Sequence, residues 1–347
     1  MRNLLTDIPG IAVGHATDLA LGSGVTAVLF DPAATASVIT LGGAPGSRDT
    51  AMLEPEMSIQ AVDAIVLSGG SVYGLDAAGG VQAFLRSQGR GTRLRTALVP
   101  IVPQAIIFDL LNGGNKDWGL HSPYRDMGHA AAAAAVQGDF PQGSVGAGTG
   151  ATTATVKGGI GSASAVAPTG HRVAALAVVN AVGSATIGEG PHFWSAPFEQ
   201  NNEFGGHGWP EKFDTRVHLK GSPPLAAIGT ATTIALIVTD AVLTKAQCKR
   251  LAIMANDGLA RAILPAHAPM DGDTVFAAAT NTLPLADPRD LTYIGATATM
   301  VMARAIARGV YEATALRHEH AQESWKDKFK AGLCPHPSGT GPLDLNR

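Results

Sequence analysis

A mixed α/β fold is predicted by three features of the chain. Short apolar, β-branched runs end in glycine turns, helical segments lie between them, and 42 of the 347 residues are glycine while aromatic side chains make up only 5%. Glycine at that frequency supplies tight turns and lets backbones approach closely, which suits packed sheets turned by small residues. With 46% hydrophobic residues and 15% charged ones, the chain has ample material for a substantial core.

In chain order, residues 25–30, 37–41 and 64–67 read as strands and 73–85 as a helix. Residues 127–136 contain six consecutive alanines, which favour a thin helix lying close against a sheet. Periodicity then disappears between residues 188 and 224, where Asn201-Asn202-Glu203, Gly205-Gly206-His207-Gly208 and Pro223-Pro224 mark a polar stretch rich in breakers. So long a loop needs a reason, and one reason is that it becomes a mobile chain end after a cut; a surface insertion is the other. Strand 232–239, helix 245–263, strand 274–279 and a small-residue helix over 294–313 follow, and from His318 onward the chain is polar.

The net charge of −3, with Lys and Arg scattered, provides no basic stripe for a nucleic acid. No run reaches the roughly 18 uncharged apolar residues that span a bilayer, and the first ten residues lack the apolar core of a signal peptide. Cys248 and Cys334 stand far apart without metal-ligand spacing, which fits reduced thiols and a cytoplasmic protein.

Chemistry concentrates at a few positions. Thr232 opens the apolar run Ile234-Ala235-Leu236-Ile237-Val238; if the bond from Ala231 to Thr232 breaks, one residue carries both a hydroxyl nucleophile and an amine base. Thr-Thr is equally a good start for a buried strand. Asp271-Gly272-Asp273 sets two carboxylates around a glycine just before a strand, suited to balancing an amine or to forming a simple turn. Asn180 ends the run 173–179 and is placed either to donate to an oxyanion or to make an asparagine turn. The glycine-rich segments 68–74 and 146–150 match neither the dinucleotide fingerprint nor the P-loop, and His318 and His320 lack zinc-helix spacing.

Taken together, GGAPGSRDT (42–50), LSGGSVYGLDAA (67–78), VPIVPQAIIFDL (99–110), GSVGAGTGAT (143–152), GGIGSAS (158–164), VVNAVG (178–183), ATTIALIVTDA (231–241) and MDGDTVFA (270–277) resemble, in order, one family. It is that of the self-cleaving aminopeptidases and amidases, which includes L-aminopeptidase D-Ala-esterase/amidase, β-peptidyl aminopeptidases and 6-aminohexanoate-oligomer (nylon) hydrolases. The resemblance implies a four-layered αββα sandwich of N-terminal-nucleophile-hydrolase type, cut into subunits 1–231 and 232–347 that together form one structural domain and a homotetramer. It implies Thr232 as nucleophile, Asn180 as oxyanion donor, and Asp271 and Asp273 as its assistants, with peptides or amide oligomers as substrates and no cofactor or metal.

Three positions depart from the family pattern. Ala231 precedes the scissile bond where Asn is frequent; Thr155 aligns with a catalytic Lys of the nylon branch, leaving Lys157 as the nearest; and Phe108 replaces a Tyr. Phe108 and Tyr73 are the candidate pocket residues. Two alternatives stand beside this reading: acyl transfer between amines, as in ornithine acetyltransferase, which resembles this family in fold and self-cleavage, and a non-catalytic assembly protein that has kept the fold.

Overall fold

The computed structural model describes residues 1–221, 231–318 and 321–329. The strands are β1 (Ile11–Asp18), β2 (Ser23–Thr40), β3 (Ser47–Arg48), β4 (Val62–Ser68), β5 (Thr92–Leu94), β6 (Ala97–Val99), β7 (Gln104–Ile106), β8 (Ile160–Val166), β9 (Arg172–Asn180), β10 (Thr232–Ala241) and β11 (Thr274–Leu283). The helices are α1 (Ser71–Gly74), α2 (Ala77–Ser87), α3 (Tyr124–Ala133), α4 (Lys245–Ala260), α5 (Asp290–Tyr311) and α6 (Trp325–Phe329).

One long strand organises the sheets. The first half of β2 pairs antiparallel with β1 and β4, and its last residues, Thr35 to Thr40, pair with β11. The two expected strands at 25–30 and 37–41 are thus one strand of 18 residues serving two layers. Its passage between them is the exposed Asp31-Pro32-Ala33, where Pro32 has no N–H to offer a ladder. On one side the order runs β3-β7-β4-β2, with β1 on the free edge of β2; on the other it runs β2-β11-β10-β9-β8.

Alternation along the strands then builds three cores. Ile234, Leu236 and Val238 of β10, Leu176 and Val178 of β9 and Phe276 of β11 face Val28, Phe30, Ile65 and Leu67 of the other sheet. The opposite face of the second sheet, with Val173, Ala175, Ala177, Ala235, Ile237 and Ala277, packs on α4 and α5. Val25, Ala27, Ala64 and Val66 cover α2 and α3 in the same way. Helices, sheet, sheet, helices is the αββα sandwich, and with both faces of each sheet covered the central strands are apolar throughout.

Small residues set the spacing. A Cβ on Gly161 of β8 would stand 2.2 Å from both the Ala305 carbonyl oxygen and the Gly309 nitrogen of α5, so the helix rests directly on the strand backbone. The expected helix at 73–85 is instead broken between α1 and α2. Buried Gln104 enters the helical ladder there: its amide donates to the Gly74 carbonyl (2.6 Å) and accepts from the Ala78 N–H (2.9 Å), the two groups that would otherwise bond each other.

The stretch at 188–221 has little regular structure, yet it is pinned. Phe193 and Phe204 are buried beside Trp325, and Glu203 forms a buried ion pair with Arg304 at 2.5 Å. Residues 222–224 of the predicted loop, the Ala231-proximal segment up to 230, His320 and Cys334 lie outside the described residues. Among the described residues no helix is long and apolar enough to cross a membrane.

The contact between β8 and α5 is testable. Gly161→Ala is expected to lower unfolding stability by about 2 kcal/mol or more, because the added methyl meets backbone that cannot rotate away. Urea titration followed by circular dichroism measures it.

Candidate active site

Four strand ends meet at one edge of the second sheet. Thr232 opens β10 opposite Asn180, which closes the antiparallel strand β9. β11 runs parallel to β10 with Thr274 beside Ile234, so the turn Asp271-Gly272-Asp273 that leads into β11 arrives next to Thr232. The chain leaving β2 is stitched over this turn: Leu41 and Gly42 donate to the Asp273 carbonyl at 3.1 and 3.2 Å, and Ala44 donates to the Asp271 carbonyl at 2.8 Å. Thr232, Asn180, Asp271 and Asp273 are thereby brought together, each nearly or wholly buried.

Thr232 is in register with Ile234 and Leu236, and so faces the space between the sheets. Its hydroxyl donates to the carbonyl oxygen of Ala231, the residue it would be cut from. The same oxygen accepts the N–H of Gly272 at 3.0 Å.

Each carboxylate is held by backbone donors. Asp271 accepts from Val182 (3.2 Å) and Ala268 (3.0 Å), and Asp273 accepts from the Thr233 N–H at 2.7 Å and the His267 N–H at 2.9 Å. Burial, and then the charge of Asp273, push Asp271 up to about 6. Its protonated form is therefore favoured by folding, and the stability this contributes is lost as pH rises from 3.8 through about 6. Behind Asp273 stands His267, whose Nδ1 lies 2.8 Å from the carboxylate and whose Nε2 lies 2.9 Å from the Asn256 amide.

Asn180 is fixed by four partners. Its Nδ2 donates to the Phe108 carbonyl at 3.0 Å, while its Oδ1 accepts from the Thr152 N–H (3.1 Å), from Lys220 Nζ (2.7 Å) and, at 3.4 Å, from Asn112. A backbone donor on one side and a backbone acceptor on the other leave a single orientation for the amide. Lys220 is half-buried, and desolvation of its ammonium pulls it down to about 7 against the opposing fields of Asp109 and Asp271. Asp109 is also buried, which raises it; it accepts from Ser23 Oγ at 2.6 Å and the Gly70 N–H at 2.8 Å.

The remaining candidates lie further back. Lys157 directs its ammonium at three carbonyls, of Ala151 (2.6 Å), Gly158 (2.9 Å) and Gly148 (3.2 Å), and burial draws it to about 7. Thr155 bonds Ser184 and Thr186. Phe108 reaches Asn180 through its backbone oxygen, with its ring half-buried. Tyr73 is half exposed, edge-on to Trp118, and lines a separate cavity of about 490 Å³ with Asp76, Lys116 and Ser122. A cleft of about 410 Å³ opens beside the partners of Asn180, lined by Asn112, Thr152, Ala154, Lys220 and Gln322.

Sequence spacing does not single out Lys220, Asn112, Asp109 or His267. Lys220 sits in the stretch without periodicity, 40 residues from Asn180; Asp109 and His267 are the two with a legible signal, the first inside the family-like segment 99–110 and the second three residues ahead of the segment 270–277. Among the described residues no group of three or more His, Cys, Asp or Glu side chains is placed to hold a metal ion.

Comparison with known proteins adds to this geometry. Residues 3–323 match the description Peptidase family S58. A Mycobacterium tuberculosis protein named as an uncharacterised aminopeptidase is 43% identical over 333 residues, covering 90% of this chain and 94% of its own. A 6-aminohexanoate-oligomer endohydrolase of Paenarthrobacter ureafaciens is 29% identical over 289 residues, covering 80% of this chain and 75% of its own. In fold, the chain superposes on a Burkholderia sp. beta-aminopeptidase with a TM-score of 0.70 at 22% identity, covering 96% of each chain. It superposes equally, at 0.70 and 19% identity, on the L-aminopeptidase D-Ala-esterase/amidase of Ochrobactrum anthropi, described as a variant of the Ntn hydrolase fold, covering 95% of this chain and 92% of that one.

Removing the Asn180 amide leaves the Phe108 carbonyl and three donors without their partner in a buried place. Asn180→Ala is expected to destabilise the fold by about 3 kcal/mol, the penalty of stranded buried polar groups, and chemical denaturation measures it.

Proposed function

The chain belongs to peptidase family S58, and from that premise we propose that it is a self-processing N-terminal threonine hydrolase of amide bonds. The bond between Ala231 and Thr232 breaks, residues 1–231 and 232–347 remain assembled, and the freed Thr232 attacks the substrate. The observation that carries this reading is the hydroxyl of Thr232 lying against the carbonyl of the residue before it, next to the buried turn Asp271-Gly272-Asp273, whose Asp273 carboxylate accepts the N–H of the following residue, Thr233.

In the uncut chain the nitrogen of Thr232 is still an amide and takes no proton. Another base has to receive the hydroxyl proton, and Asp271, pushed up to about 6, has the basicity for it near neutral pH. The hydroxyl adds to the Ala231 carbonyl carbon, the C–N bond breaks, and the proton ends on the Thr232 nitrogen; water then opens the ester. In the mature enzyme the α-amine, with an ordinary pKa of about 8, becomes the base. Asp271 and Asp273 hold that amine, Asn180 supplies an N–H to the oxyanion, and water discharges the acyl-enzyme.

Lys157 is a positioning residue in this scheme, since its ammonium fastens the loop from Gly148 to Gly158 behind the site. Lys220 and Gly221 line the cleft beside Asn180. Peptides or amide oligomers are the substrates, the class named for the relatives.

Thr232→Ala is expected to give one uncut chain without hydrolytic activity, whereas the natural chain yields a smaller fragment beginning Thr-Thr-Ile, read by denaturing electrophoresis and N-terminal sequencing. An active or cut Thr232→Ala protein rules the proposal out. Product release into water, undiminished by added amines, separates hydrolysis from acyl transfer.

Self-cleavage of freshly translated chain is expected to slow as pH falls through about 6, two units above an ordinary aspartate, because Asp271 takes up its proton there. Asp271→Asn is expected to abolish that limb along with most of the rate. A pH series of quenched translation reactions reads both.

A further inference from the structure

The carbonyl of Ala231 accepts not only the Thr232 hydroxyl but also the N–H of Gly272, at 3.0 Å. That N–H belongs to the same peptide group as the carbonyl of Asp271, and the Asp271 oxygen accepts the N–H of Ala44 at 2.8 Å. The three peptide groups form a chain of hydrogen bonds from Ala44, through the 271–272 peptide, to the carbonyl of Ala231. Each bond polarises the next, so the Gly272 N–H is a stronger donor than an isolated amide.

The middle peptide cannot turn away. The Asp271 N–H is bound to the Ala268 carbonyl at 2.9 Å, the Asp271 carboxylate spans Val182 and Ala268, and the hydroxyl of Thr274 donates to the Gly272 carbonyl at 3.0 Å. The position also requires glycine: a Cβ on residue 272 would stand 2.8 Å from Thr232 Oγ1 and 2.9 Å from the Ala44 carbonyl oxygen. The absence of a side chain is what lets this N–H and the Thr232 hydroxyl share one oxygen.

We propose that the backbone N–H of Gly272 is the oxyanion donor of self-cleavage, and that the 271–272 peptide, held by Ala44, is a preorganised electrostatic element of the site. This rests on the reading of Thr232 as nucleophile and goes beyond it. As Oγ1 bonds to the Ala231 carbonyl carbon, the carbonyl π electrons move onto an oxygen already facing this donor. The C–N bond then breaks, the hydroxyl proton ends on the Thr232 nitrogen, and the donor remains on the ester carbonyl. When water has released Ala231, a substrate acyl group on the same oxygen occupies the same covalent position, and the Gly272 N–H receives its carbonyl too. The donor therefore serves both reactions, beside Asn180, one of whose two amide hydrogens lies on the Phe108 carbonyl.

The test replaces one atom. Cell-free translation with glycolic acid at position 272 converts the peptide N–H into an ester oxygen and adds no side chain. Self-cleavage is expected to slow by about 100-fold or more, the usual effect of deleting an oxyanion donor. The same replacement at exposed Gly119, where an added Cβ would meet nothing within 4 Å, is expected to leave the rate unchanged. An ester chain that cuts at the natural rate overturns the assignment to Gly272, provided Thr232→Ala stays whole; a cut Thr232→Ala chain overturns the nucleophile beneath it. Should the ester chain not fold, hydrogen exchange decides: in uncut Thr232→Ala the Gly272 amide is expected to be protected at least tenfold, and exchange at the rate of unstructured peptide overturns the proposal.

Discussion

Parallel pairing of β10 with β11 is the constraint on which the site depends. Parallel neighbours begin at the same edge, so the residue that opens one strand lies beside the turn that feeds the other. Here the opening residue is Thr232 and the turn is Asp271-Gly272-Asp273. Antiparallel β9, on the far side of β10, ends where β10 begins and delivers Asn180. Antiparallel β2, on the far side of β11, delivers the loop whose Ala44 N–H fixes the turn. A slip of one residue in β10 would turn Thr232 from the space between the sheets toward the helices.

That edge gathers charge in a place with little water. Asp109, Asp271 and Asp273 are all buried, and burial raises the first two. Lys157 and Lys220, drawn down to about 7, answer them from behind, and every one of these groups bonds to main-chain atoms. Backbone donors do not depart or change charge, so they hold a carboxylate in place through a reaction that moves protons around it. A fold selected only for stability would not retain so many buried ionisable groups.

Close approach is the other theme. The sheets are covered by helices whose contact residues are largely alanine and glycine, and α5 lies against the backbone of β8 at Gly161. The same economy of side chains recurs at Gly272, where it admits a main-chain donor to a threonine hydroxyl. Trp325, Phe193 and Phe204 cluster where the irregular stretch before the junction is fastened, at the margin of the core shared with α4 and α5.

Much of this was legible in the residues. Strands and helices followed from period and glycine turns, because alternation and 3.6-residue spacing are local properties; the motifs at 178–183, 231–241 and 270–277 marked the strand ends that meet. The αββα layering came with the family resemblance, since composition alone indicated only a mixed fold. Tertiary structure decided the rest. It joined two predicted strands into β2, put the amide of Gln104 into a helix, turned Lys157 onto three carbonyls, and set Lys220 against Asn180 across 40 residues of chain. Those outcomes depend on which donor finds which acceptor once water is excluded, and sequence spacing carries no information about partners that meet only through the folded sheets.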